Sequence, residues 1–323
     1  MRMTETTNRA LEVGYEKQVS YLNEIEKSGK IHHAYLFIGV PEGAHNALAE
    51  YWAKRLVGHT GPSAAHQDIL IMRYDDADYI TVKEAREVRR HLSTTPAVAK
   101  RRVVVLEQAE RCTRQAANAL LKVLEEPQAE TVTILATSTP DQLPDTLRSR
   151  LHTVYVPPLI GAQARQVASV LDQALTAGEL EEAVHMSSGR FQRLHDLVSV
   201  GVSGSGFASR AEFWISFLEG SVTARDAAVK KQFGLSVKDN EELHQLSKYL
   251  DTAQEVIHDI FLLATRSDQA LVFIKQRDRL EGIASQWGKR QSAIRLALID
   301  RIRLMEIRKV NKKNILDYLT IRL

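Results

Sequence analysis

One cysteine occurs in 323 residues, Cys112, which excludes an internal disulfide and any zinc site built on thiolates. No run of about 18 consecutive apolar residues exists, so no segment reads as a membrane span. The opening MRMTETTNRA lacks the apolar core of a secretory signal, and a cytoplasmic location is expected. Internal repeats and low-complexity tracts are absent. Net charge is scarce too, a formal +3, but it is unevenly spread. Residues 287–323 hold ten Lys or Arg against three acids, a local +7 that leaves about −4 elsewhere. Such a segment suits nucleic acid, an acidic partner, or simply a solvated helix face.

What is present is enough for two or three domains, with 44% apolar residues to build their cores. From about residue 10 to 158, helical periods alternate with short β-branched runs: AYLFI (34–38), DILIM (68–72), RVVVL (102–106) and VTILAT (132–137). That alternation predicts parallel strands joined by crossover helices, an α/β layer fold. TVKE at Thr81–Glu84 is a capping box that starts a helix. Cys112 falls in a helical pattern. Pro157 and Pro158 end the sheet region, and no strand is expected beyond them. Residues 160–200 read as two or three short helices, GVSGSG (201–206) as a flexible joint, and the remainder as all-helical. Ile294, Leu298, Ile302 and Met305 mark one apolar stripe there. The expected domains are 1–158, 159–205 and 206–323.

GVPEGAHN (39–46) sits between a strand and a helical run, ALAEYWAKRL (47–56), where a phosphate-binding loop belongs. A working loop reads G-x-x-x-x-G-K-S/T: glycine amides wrap phosphate, lysine reaches the β/γ oxygens, and a hydroxyl binds magnesium. Aligned from Gly39, this chain has Ala44, His45 and Asn46 at those three places. Gly39 and Gly43 keep the turn, while Pro41 removes an amide and Glu42 repels phosphate. The RVVVL strand ends in Glu107 and Gln108, where triphosphatases carry an acid pair for magnesium and the attacking water. Taken alone, those two residues also fit any strand end followed by a polar turn. No cofactor or metal is expected. His59 and His66, in a stretch 57–68 without cysteine, make a poor zinc site.

NALLKVLEEP (118–127) followed by LPDTLRSRL (143–151) resembles the bacterial clamp-loader ATPase family of DNA polymerase III. The resemblance runs from IHHAYLFIG (31–39) through HQD (66–68) to VYVPPL (154–159). It implies an AAA+ type P-loop α/β domain with a parallel sheet, a small helical lid and a C-terminal helical collar. In that family five subunits form an open ring that loads the sliding clamp on primed DNA. The degraded loop resembles the family's non-catalytic stator. The implied partners are gamma/tau-type and delta-type subunits in a hetero-pentamer, with clamp and primed-template DNA met through the complex and no membrane.

Ser149 and Arg150 fall on the family's Ser-Arg-Cys motif, with Leu151 at the cysteine. The resemblance makes Arg150 an arginine finger acting in trans on ATP held by a neighbour; an arbitrary arginine there would pair with a helix carboxylate. In SSGRFQRL (187–194), the lid's nucleotide-sensing position falls on Gln192, flanked by Arg190 and Arg193. Arg86, Arg89 and Arg90 share one helix face, and family architecture turns such helices toward DNA phosphates. Lys100, Arg101 and Arg102 have the same reading, and both groups equally fit a solvated face. The competing function is a divergent gamma-type ATPase with His45 in the lysine's place. A third, a plain DNA-binding protein, leaves NALLKVLEEP and the kept loop unexplained.

Overall fold

The computed structural model describes residues 4–59, 66–73, 79–233, 240–267, 271–307 and 310–323. The chain divides into two compact units, 1–199 and 200–323.

The first unit is built on five parallel strands: β1 Ala34–Ile38, β2 Ile69–Met72, β3 Arg102–Leu106, β4 Thr131–Thr137 and β5 His152–Tyr155, in the spatial order β2-β3-β4-β1-β5. β3 and β4 are buried almost throughout because helices cover both faces, which is why they read as continuous apolar runs. The fifth strand was not expected. It lies at an edge against β1 and only Val154 of its four residues is buried, so it carries no apolar run.

Helices α1 (Glu5–Gly14), α2 (Glu16–Ser28), α3 (His45–Leu56), α4 (Val82–Leu92), α5 (Arg114–Glu125) and the one-turn α6 (Asp145–Arg148) connect and flank the strands. The capping box at α4 forms as expected: the Thr81 N–H donates to Glu84 Oε2 at 2.8 Å, and the Thr81 hydroxyl accepts from the helix amides. On α4, Ala85, Val88 and Leu92 face a core that also holds Val104, Leu106, Leu120 and Leu135. Each such aliphatic side chain contributes about 1.5–3 kcal/mol on burial. Cys112 is not helical. It follows a 3-10 turn, Ala109–Arg111, bridges Ile80 and packs half-buried against the core; burial pushes its thiol up to about 12.

Three helices follow the sheet: α7 (Ala162–Leu171), α8 (Ala177–Ser187) and α9 (Phe191–Val200). α7 packs against α1, and Tyr15 meets Phe191 edge-on. At the α8–α9 turn, Gly189 has φ 74° and its carbonyl accepts from the Leu159 N–H at 2.8 Å. A Cβ on Gly189 would stand 2.3 Å from the Leu159 carbonyl oxygen, so only glycine fits this crossing.

The second unit is helical: α10 (Gly206–Glu219), α11 (Val222–Phe233), α12 (Asn240–Ala264), α13 (Arg277–Ile307) and α14 (Lys312–Arg322). GVSGSG is in part the start of α10: the Ser205 hydroxyl accepts from the Ala208 N–H at 3.1 Å and caps the helix. α13 bends at Gly288, which has φ 62° and ψ 173°. Its buried line after the bend is Ser292, Ile299 and Ile302, whereas Ile294 is 51% exposed. The expected stripe is met at Ile302, while Leu298 and Met305 are half-buried and Ile294 is exposed. Leu250, Ala253, Val256, Ile257 and Ile260 of α12 supply the matching buried face. Across the unit, the Arg279 guanidinium forks onto Glu212 and Glu219 at 2.7 Å each.

Candidate functional site

The altered loop is a tight turn. The Gly43 N–H donates to the Val40 carbonyl at 2.9 Å, and a Cβ on Gly43 would meet that oxygen at 2.7 Å. Glu42 takes left-handed backbone geometry, φ 56°, which costs a non-glycine residue about 1 kcal/mol or more. α3 then opens on His45, which is 4% exposed. Its ring lies directly over Gly39: a Cβ there would stand 2.5 Å from His45 Nδ1. Burial pulls the imidazole down to about 4, so it is neutral at physiological pH, and Nδ1 has no hydrogen-bond partner among the described residues.

The carboxylate of Glu42 turns to α9. Its Oε2 accepts from Arg193 Nε at 2.8 Å and lies 2.6 Å from Arg193 Nη2 and 3.6 Å from Arg190 Nη1. The Gln192 N–H donates to the Glu42 carbonyl at 2.9 Å. Arg193 is 4% exposed, so its charge is compensated inside the protein. Gln192 meets the loop through its backbone N–H, and the charge comes from its neighbours Arg190 and Arg193.

At the end of β3, Glu107 accepts from Arg73 Nε at 3.1 Å, and a second nitrogen of that guanidinium bonds Glu50 on α3. Glu50 also holds the buried Lys54 at 3.5 Å. Burial raises the Glu107 pKa, and Arg73 draws it part of the way back. Gln108 follows in left-handed geometry, φ 53°, and begins the 3-10 turn.

The loop lacks the groups with which a working phosphate loop holds a magnesium nucleotide. Lysine and hydroxyl are replaced, an imidazole packs on Gly39, a carboxylate rises from the turn, and an arginine takes the one remaining acid. His59 and His66 contact each other, ring centroids 4.9 Å apart, with residues 60–65 between them outside the described set. Among the described residues no three His, Cys, Asp or Glu groups converge as metal ligands.

Arg150 lies at the other end of the sheet. It follows α6 and stands two residues before His152, which pairs with Tyr35 near the start of β1. The altered loop follows the far end of β1, so the two lie at opposite ends of that strand, about 13 Å of strand rise apart. The Arg150 guanidinium is 39% exposed; it donates to the Thr146 carbonyl at 2.8 Å and pairs with Glu125, at the end of α5, at 2.8 Å. The Ser149 hydroxyl donates to the same carbonyl at 3.2 Å. Arg148 turns away, onto Asp141 and Asp145.

Of the basic residues considered for DNA, Arg86, Arg89, Arg90 and Lys100 are exposed, Arg90 lies 3.8 Å from Glu87, and Arg101 pairs with Glu130 at 3.2 Å. Arg102 turns inward to the Thr95 and His91 carbonyls and is structural. Asp68, fully buried, accepts from the amides of Ala97, Val98 and Ala99 at 2.7–2.8 Å and so fixes the turn that carries Lys100 and Arg101. Burial pushes its carboxyl up, but those amides and Arg102 together hold it below the usual range. The presence of Asp68 in HQD was the only advance signal of that role; Glu125 and Arg73 gave none.

Sheet, altered loop and trailing helices define a parallel α/β unit, with an all-helical unit after it. Residues 14–159 match the family described as DNA polymerase III, delta subunit. The DNA polymerase III subunit delta' of Pseudomonas aeruginosa is 34% identical over 183 residues, 50% of this chain and 56% of that protein. Subunit tau of Salmonella typhimurium is 29% identical over 202 residues, 58% of this chain and 32% of that protein. The chain thus spans about half or less of the length of these curated relatives. A DNA polymerase III gamma subunit-related protein of Thermotoga maritima, solved by crystallography, shares the fold, with TM-score 0.52, 17% identity and coverage of 93% and 99% of the two chains. Residues 14–159 are thus similar to DNA polymerase III subunits of the delta-prime, gamma and tau kind. No described helix is long and apolar enough to cross a membrane.

Proposed function

We propose that this chain is a non-catalytic, delta-prime type stator of a DNA polymerase III clamp loader. It binds no nucleotide at its own loop and supplies Arg150 in trans to ATP held by a neighbouring subunit. The observation that carries the reading is the separation of Arg150 from its own loop, together with its exposure. A guanidinium held by one half-exposed carboxylate can exchange that partner for phosphate oxygens at little cost. In the same reading the helical unit 200–323 joins gamma/tau-type and delta-type subunits in a hetero-pentamer, and the α7–α9 segment is the lid. Arg86, Arg89, Arg90 and Lys100 meet DNA phosphates when the complex holds the clamp on primed DNA.

Arg150→Ala in a reconstituted complex should cut DNA-dependent ATP turnover by about tenfold or more while assembly persists. Arg148→Ala, whose side chain faces Asp141 and Asp145, should do less. Unchanged turnover in an intact Arg150→Ala complex would make Arg150 structural and sink the proposal.

The divergent-ATPase alternative requires His45 to act as the lysine. A buried imidazole, uncharged down to about pH 4, has no positive charge to offer a γ-phosphate.

A further inference from the structure

Arg190 and Arg193 face an anion, and it belongs to the loop. We infer that Glu42 is an intramolecular ligand: its carboxylate, in contact with Arg193 and Arg190, holds α9 against the loop and fixes the lid orientation with no nucleotide present. The inference rests on the stator reading and deepens it, since it names what makes such a subunit rigid.

Three observations converge. Arg193 is buried, and a buried guanidinium needs a compensating charge; Glu42 provides one through two nitrogens. Glu42 is kept in left-handed backbone geometry, a conformation that persists only where surrounding contacts over-determine it. Those contacts are the Val40–Gly43 turn on one side and the Gln192 amide on the other, which aim the Glu42 side chain at α9. Finally, Gly189 and Leu159 close the opposite end of the same helix turn, so α9 is tied at its start to both the linker and the loop. The two polar links to the loop are charge and backbone, and only the first can be removed by substitution.

Hydrogen exchange by mass spectrometry on the full chain, without nucleotide, tests this. In Glu42→Gln, which keeps shape and loses charge, amides of Phe191–Val200 should exchange about tenfold faster or more while β1, β3 and β4 keep their protection. Millimolar inorganic pyrophosphate should restore that protection in Glu42→Gln and leave the wild-type chain unaffected. Glu42→Gly separates charge from strain, because glycine takes the left-handed turn freely, and it should loosen α9 even where Glu42→Gln disturbs the whole unit. Unchanged α9 exchange in both variants would overturn the inference. An ATP titration of the wild-type chain reports separately on the stator reading: saturable, magnesium-dependent binding would end that reading, and the exchange result would still decide the Glu42 assignment.

Discussion

The two ends of the sheet treat charge in opposite ways. At the end that carries the loop, charged side chains answer one another within the fold: Glu42 with Arg193 and Arg190, Glu107 with Arg73, and Glu50 with Arg73 and Lys54. Of these, Arg193, Glu50 and Lys54 are buried, so breaking a pair strands a charge away from water. At the other end, Arg150 and Glu125 are 39% and 48% exposed, and water readily replaces either partner. One site has turned its electrostatics inward to stabilise itself. The other leaves its ion pair half-exposed to solvent.

The largest effect expected from this contrast is on the pH dependence of stability. His45 titrates near 4 in the fold against an ordinary 6.5, so the folded state binds its proton more weakly. Its contribution is present above about pH 6.5 and is lost as pH falls toward 4, up to about 3 kcal/mol. Asp259, buried in α12, behaves oppositely. Its Oδ2 accepts from the Val272 and Phe273 amides at 2.9 Å each, while burial raises its carboxyl to about 7. That contribution is present near pH 4 and is lost as pH rises through 7. Exchange at pH 7.5 and 5.0 should show the first unit loosening on acidification and the second tightening. Replacing His45 by Leu should flatten the first slope; a slope left unchanged would mean that the imidazole is not the group responsible.

A smaller effect is expected at the glycine beneath that imidazole. Gly39→Ala brings a methyl group to 2.5 Å from His45 Nδ1 and should cost about 2 kcal/mol in thermal or denaturant unfolding. In the double variant with His45→Ala, the combined loss should fall short of the sum by about 1 kcal/mol or more. Strict additivity would show that Gly39 is retained for its turn alone.

The smallest effect should come from the Arg150 end. Arg150→Ala and Glu125→Gln should each shift stability by less than about 1 kcal/mol, measured on the free chain. A loss as large as that of a buried pair would erase the contrast between the two ends and weaken the case for a finger.

Much of this was legible in the residues. Four of the five strands, the α4 capping box and the loss of the loop's lysine and hydroxyl are local matters, set by the run of apolar residues and by the side chain at each place. β5 escaped because an edge strand of four residues with one buried position has no apolar signature. On α13 the expected stripe is buried at Ile302 and exposed at Ile294, since the 3.6 period does not say how far along the helix its packing partner reaches.

The sequence by itself determined that Ala44, His45 and Asn46 stand where a phosphate loop carries glycine, lysine and a hydroxyl, and that an α/β unit precedes a helical one. Only the tertiary structure decided that Glu42, 151 residues away from Arg193 along the chain, is its counter-ion, that His45 covers Gly39, and that Arg150 stands far from its own loop. The reason is physical. Propensity and periodicity act between near neighbours in the chain, whereas charge compensation depends on distances in space that crossovers and helix packing alone establish.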